Sequence, residues 1–223
     1  MMTNLFSTFD PATHMNMSLN WTSSILSLIS IPYMYWILPS RYNKIMEAII
    51  MKLYNELSPL SNFKSKGISL IMISMFFFIT FNNMMGLLPY VFTSSSHIVF
   101  SLTLALPMWL TFMLFGWINN SNNMFAHMIP LGTPPILMPF MICIETISNL
   151  IRPCSLAIRL TANMIAGHLL MSLLGDNNLG ANSIIVPLIM VIQMVLMLFE
   201  VAVSLIQAYV FTTLSTLYSS EVI

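Results

Sequence analysis

Glu145, Arg152 and Arg159 follow one another at intervals of seven inside a stretch, residues 136–174, that holds no other Asp, Glu, Lys or Arg. On a helix each lies only about 20° round from the one before, so the three share a face. Asn163, four residues past Arg159, stays on that face. A second apolar stretch, residues 182–218, repeats the interval with Gln193, Glu200 and Gln207. A guanidinium stays protonated at any accessible pH, and holding one near a bilayer centre costs roughly 2.5–3.5 kcal/mol on insertion scales. Such a cost is accepted where the charge does what no apolar group can do. His168 adds an imidazole, a group whose intrinsic pKa is about 6.5, and a carboxylate beside it can exchange protons with it through water. Protonatable groups on either side of a cation that cannot relay a proton are the parts of an intramembrane ion path.

The elements that must hold these groups follow from composition. Of 223 residues, 57% are hydrophobic and 6% charged. A soluble domain carries about 25% charged residues, so the chain is an integral membrane protein. Its formal charge of zero excludes a generally basic nucleic-acid surface and an acidic tail. The N-terminal segment lacks Lys and Arg, so neither a secretory signal nor a transit peptide is expected in it. The 22 methionines are scattered through every segment and act as packing groups. Cys143 and Cys154 would stand about 16 Å apart along one helix; they cannot bridge each other and are expected to be buried apolar fillers.

A spanning helix needs about 20 apolar residues, and five segments qualify: 19–38, 68–92, 97–118, 136–174 and 182–218. Trp21, Tyr33, Tyr35 and Trp36 mark interfaces at the ends of the first. The last two exceed an upright span, since residues 136–174 as a helix would reach about 58 Å against a hydrocarbon core of about 30 Å. They must tilt, break or project, with Pro153 and Pro187 as the places to bend. Residues 175–180 read as a polar turn, so the two form a long antiparallel hairpin. The fold class is an all-α membrane protein of about five membrane helices and one surface helix, with a long, strongly tilted C-terminal helical hairpin. It divides as an N-terminal span (1–40), an amphipathic helix (41–66), two spans (67–118) and the hairpin (136–219), forming one membrane domain over residues 1–223.

Residues 41–66 hold five of the seven Lys and Arg residues. Ile45, Ile49, Leu53 and Leu57 recur every four positions there, opposite Lys44, Glu47, Asn55 and Glu56, as in a helix lying on a membrane surface. The excess of cations puts this segment on the matrix or cytoplasmic side. Five spans then place the N-terminus outside and the C-terminus inside.

In an antiparallel hairpin, facing residues have numbers that add to a nearly constant total. Arg159 with Gln207 and His168 with Glu200 satisfy one register together. Two polar zones result. One holds His168 and Glu200 toward the Asp176 end; the other holds Glu145 toward the basic side; Arg159 lies between. Blander readings exist for several groups. His168 can be a hydrogen-bonded packing residue, and Gln207 and Asn163 can join helices. Arg152 can pair with Glu145 or reach the interface. Asn82 and Asn83 can line a polar entrance or bond between helices. His14, His97 and His127 sit at segment edges with no assigned role.

The segment SLAIRLTANMIAGH, residues 155–168, resembles the signature of the a subunits of rotary F-type ATP synthases, in their animal mitochondrial form. Glu145, Arg152-Pro153, Glu200 and Gln207 fit the same pattern, as do the basic surface helix and the hairpin, so the resemblance covers essentially the whole chain. It implies a proton-conducting stator in the mitochondrial inner membrane whose hairpin lies against a rotating ring of c subunits. His168 and Glu200 would then belong to the inlet half-channel and Glu145 to the outlet, with Arg159 the separator. Asn163, Gln207, Arg152, Asn83 and Asp176 complete the expected path. Other membrane-sector and peripheral-stalk subunits are the implied neighbours. No cofactor, metal or catalytic residue is expected, and the chain lacks a phosphate-cradling GxxxxGK[ST] loop. The alternative is a subunit of a redox-driven proton pump or a secondary transporter. The first would need paired haem-ligating histidines deep in spans, where only His168 lies; the second commonly shows repeats and paired broken helices, which are not evident.

Overall fold

The structure, a computed structural model, describes residues 5–13, 17–33, 35–60, 66–129, 134–180, 182 and 185–222; His14 lies outside them. The described residues are mostly helical and form no sheet. In chain order the α-helices are α1 (Ser23–Ile29), α2 (Arg41–Leu57), α3 (Lys66–Gly86), α4 (Ile98–Asn119), α5 (Ser121–His127), α6 (Met138–Gly180) and α7 (Val186–Val222). Four of these, α3, α4, α6 and α7, are long and apolar enough to cross a membrane.

The first expected span is shorter than its sequence implied. A 3₁₀ turn at Leu19–Thr22 leads into the seven residues of α1. The ladder then tightens, with Ser30 and Ile31 donating to carbonyls three residues back, and Pro32 has no N–H to continue it. Hydrophobicity alone did not register that stop. The chain still runs the length of α3 in the opposite direction. Trp21 packs on Phe92 and His97 beyond the end of α3, at ring-centre distances of 5.9 and 5.2 Å. Ile31 and Pro32 share a cavity with Ser69 and Leu70 near its start. Tyr35, Trp36, Ile37 and Leu38 follow without helix and are exposed.

α2 is the expected amphipathic helix. Ser40 caps it, its hydroxyl accepting the Asn43 N–H at 3.3 Å. Leu53 and Leu57 are buried, while Ile45 and Ile49 on the same line remain exposed. The apolar stripe is thus covered by protein at one end and left for lipid at the other.

The core joins α3, α4, α6 and α7 through Ile79, Ala105, Leu156, Ala157, Leu160, Ala208 and Phe211. Ala157 and Ala208 are fully buried and let the two long helices approach closely. α3 and α7 share the broadest contact and run antiparallel. It is stitched by Ser215 Oγ to Met72 Sδ at 3.0 Å and Ser204 Oγ to Met84 Sδ at 3.5 Å.

α6 has 43 residues and α7 has 37, so they extend about 64 and 55 Å at 1.5 Å per residue. Neither stands upright within one hydrocarbon layer. α6 passes through Pro153 without interruption and continues to Gly180, so residues 175–180, expected as a turn, are helical. Asn178 Nδ2 lies 3.9 Å from Met190 Sδ across the hairpin. Pro187 falls in the first turn of α7 and bends nothing, because a missing N–H costs nothing there. Cys143 and Cys154 are free, but both are exposed rather than buried as expected. They lie on the side of α6 that no described element covers.

Candidate proton path

The register read from spacing is the one formed. Glu200 of α7 lies across from Gly167 of α6, and Asn178 across from Met190; both pairs of residue numbers add to nearly the same total as His168 with Glu200. A Cβ built on Gly167 would stand 2.8 Å from the Glu200 carboxyl carbon and 2.9 Å from Oε1. Glycine at 167 is therefore what makes room for this carboxyl. Glu200 is 8% exposed, and neither of its oxygens has a hydrogen-bond partner in the chain.

The neighbouring His168 ring faces the Gly86 carbonyl and packs edge-on against Phe9, with centres 6.4 Å apart. Its Nε2 is buried and unpartnered. No hydrogen bond joins it directly to Glu200, so a proton passing between the two needs water to carry it. Buried polar groups without a protein partner are the kind that water serves. His168 also lines a cavity of about 880 Å³ with Asp10, Thr93, Met190 and Gln193. Asn83 is 1% exposed and its amide atoms are unpartnered. Asn82 instead donates to the Phe78 carbonyl at 3.0 Å and accepts from Ser94 at 3.4 Å. The two adjacent asparagines therefore separate, Asn82 as a structural tie and Asn83 as a candidate for the path.

At the other end of the hairpin, a cavity of about 260 Å³ is lined by His127, Glu145, Arg152, Tyr218 and Glu221. Arg152 lies 3.6 Å from Glu145, donates to Glu221, and stacks over Tyr218 at 5.0 Å. The expected Glu145 pair forms, but Glu221 was missed. Its only signal was a carboxylate near the end of the last helix, and facing across a hairpin becomes visible only when both helix lengths are known. His97 is structural, its Nε2 lying 3.0 Å from the Phe9 carbonyl.

The two cavities share no lining residue. Arg159 sits between their levels on α6, about 13 Å along the axis from His168 and about 10 Å from Arg152. It is exposed and makes no ion pair or hydrogen bond with any described residue. Ser155, Ile158, Ala162 and Ala166 of α6 and Ala202 of α7 are exposed as well. Asn163 and Gln207 are half-buried. Asp176 is exposed on α6 and does not line the larger cavity.

Because Gly167 alone leaves space for the Glu200 carboxyl, Gly167→Ala is expected to push it aside. Misplacing a reacting group by about 1 Å can cost up to ~100-fold. Proton flux per assembled complex should fall at least about tenfold, and parental flux would show that the close approach is incidental.

Long membrane helices, two cavities that each hold titratable side chains and an unpaired cation between their levels are the parts of a multi-pass, proton-translocating membrane protein. The comparisons agree. A family model described as ATP synthase A chain matches residues 11–220. The chain is 56% identical over 223 residues to ATP synthase subunit a of Drosophila melanogaster, covering all of both chains. The same identity holds over 224 residues for the Locusta migratoria protein and over 225 for that of Anopheles gambiae, again with full coverage. The chain belongs to the ATP synthase A chain family. It is a multi-pass membrane subunit of the proton-translocating sector of ATP synthase and assembles with that complex's other subunits. A redox pump or secondary transporter is not favoured.

Proposed function

We propose that the chain is the stator of a rotary proton motor, with an inlet half-channel at His168 and Glu200 and an outlet half-channel at Glu145. The observation that carries this reading is the position of Arg159: exposed, without an ion pair or hydrogen bond to any described residue, and level with neither of two chambers that share no lining residue. A proton entering one chamber has no route to the other past a group that cannot release its own proton. It must leave the chain, ride on a carboxylate of the partner, and return at the other level.

The partner is a ring of c subunits, each bringing one mid-membrane carboxylate. The exposed face around Arg159 suits it. Ser155, Ala162, Ala166 and Ala202 are small, and small residues let a neighbouring helix approach closely. A cation within about 4–6 Å favours the ionised form of a passing carboxylate, so each ring site gives up its proton before it passes Arg159. The chain itself is not catalytic; each charge crossing supplies roughly 2.3 kcal/mol per 100 mV, and ATP forms elsewhere in the complex. Asn83 extends the inlet. Asn163 and Gln207 flank Arg159, Arg152 steadies Glu145, and Asp176 serves the outer mouth. Residues 1–223 act as one membrane unit.

The orientation follows from the basic α2, which belongs on the matrix side. Residues 19–32 run antiparallel to α3 along its length, so the crossings are odd in number. The N-terminus then lies in the intermembrane space and the C-terminus in the matrix.

Cysteines introduced one at a time at Ala162, Ala166 and Ala202 should crosslink to a cysteine beside the ring carboxylate in the assembled complex. Cysteines on the covered side of α7, at Ser204 or Thr212, should not. Crosslinks absent across the whole exposed face would reject the ring contact.

A further inference from the structure

At the basic end of the hairpin one cation is shared by two carboxylates, and it is shared unequally. Arg152 Nη1 donates a charge-assisted hydrogen bond to Glu221 Oε2. Its Nη2 stands 3.6 Å from Glu145 Oε1, which is Coulombic contact without a hydrogen bond. The guanidinium carbon stands over the Tyr218 ring, 5.0 Å from its centre. The titratable and charged groups facing this cavity, among the described residues, are His127 from α5, Glu145 and Arg152 from α6, and Tyr218 and Glu221 from α7. α4 contributes Trp109, whose indole Nε1 is buried without a partner.

We propose that Glu221 is a positioning residue for the outlet: by holding Arg152, it keeps the guanidinium from closing onto Glu145 and leaves that carboxylate open to an arriving proton. This rests on the outlet role proposed above for Glu145. Glu145 and Arg152 are two helical turns apart on one face of α6, so a side-chain rotation alone would bring them into a bidentate pair. In that pair both Glu145 oxygens would be occupied by N–H groups, and an incoming proton would have to displace them. Glu221 supplies Arg152 with a carboxylate of its own. The proton then binds a Glu145 oxygen, and the same bond breaks when water takes it onward. Neither Glu221 nor Arg152 gains or loses a proton in the cycle.

The test uses intact ATP synthase carrying variants of this chain, reconstituted in liposomes. Proton flux per assembled complex is followed against pH on the outlet side. With Glu221→Gln, Arg152 is free to close on Glu145. Glu145 is then protonated less often at a given pH, and the limb of the profile that falls with rising pH moves toward acid. The expected shift is about one unit, with flux near pH 7 lower by about three- to tenfold. Glu221→Asp, which keeps the charge, should restore most of the parental profile. An unmoved profile per complex in Glu221→Gln, whatever the yield of complex, overturns the positioning role. Glu145→Gln measured in parallel separates the two levels of inference. Lost flux there beside an unmoved Glu221→Gln profile rejects only the role of Glu221, whereas parental flux in Glu145→Gln rejects the outlet itself.

Discussion

Arg159→Ala is expected to abolish ATP-coupled proton transport while leaving the complex assembled. The argument rests on magnitudes. Two unit charges 4 Å apart at an effective dielectric constant near 20 attract by about 4 kcal/mol, and each 1.4 kcal/mol is about tenfold in an equilibrium. Without the guanidinium, a carboxylate arriving from the lipid face would hold its proton roughly 100-fold or more tightly. It would then slip past both chambers still loaded. Arg159 makes no bond to any described residue, so its removal costs the fold nothing that the chain itself provides. Assembly should survive, which makes the loss of coupling readable. Arg159→Lys should fail as well, because an ammonium brought into an apolar site can surrender its proton and open a direct path between chambers. Retained coupling in Arg159→Ala, measured as ATP-driven acidification per assembled complex, would remove the basis of the proposed stator.

The residues of this path were legible because a charge in an apolar run is conspicuous and because helical spacing is regular. Arg159, Glu145 and Arg152 could be put on one face from the interval of seven alone. The pairing of Glu200 with the level of His168 followed from counting across an antiparallel hairpin, and the Gly167–Glu200 contact shows the same register. Other features depend on where helices stop and on what covers them. Residues 19–38 read as a span because hydrophobicity counts side chains, whereas the helix there is ended by a tightening ladder at Ser30 and by Pro32. Residues 175–180 read as a turn because Gly, Asp and Asn favour turns in isolation; in the chain they continue the ladder of α6, with Asn178 Nδ2 3.9 Å from Met190 Sδ of α7. Cys143 and Cys154 looked like core residues, but apolar side chains in a membrane protein need no core, since lipid or a partner can cover them. The closeness of Glu221 to Arg152 joins residues far apart in sequence and depends on the full length of both long helices.

Glu200 and His168 should behave as one unit. Glu200→Gln keeps the shape of a buried, unpartnered side chain but removes its capacity to carry a proton. Proton flux is expected to fall by about 100-fold or more, within the roughly 100- to 10,000-fold range over which positioned proton-transfer groups contribute. His168→Phe keeps the ring against Phe9 and removes both nitrogens; a loss of similar size is expected. The double variant should lose little beyond either single one, because a broken chain of transfers is not broken further by removing its next link. Residues sharing one network show interaction energies of about 0.5–3 kcal/mol, whereas independent sites add within about 0.5 kcal/mol. Losses that simply multiply would mean that protons reach the ring past each residue separately. His168 would then be a packing group facing the Gly86 carbonyl, and the path would run through Asn83 or Gln193 instead. The geometry favours the shared path: Glu200 lies against Gly167, the residue next to His168, and His168 opens onto the larger cavity while Glu200 does not line it. On the proposed path, a proton bound for Glu200 meets the histidine first.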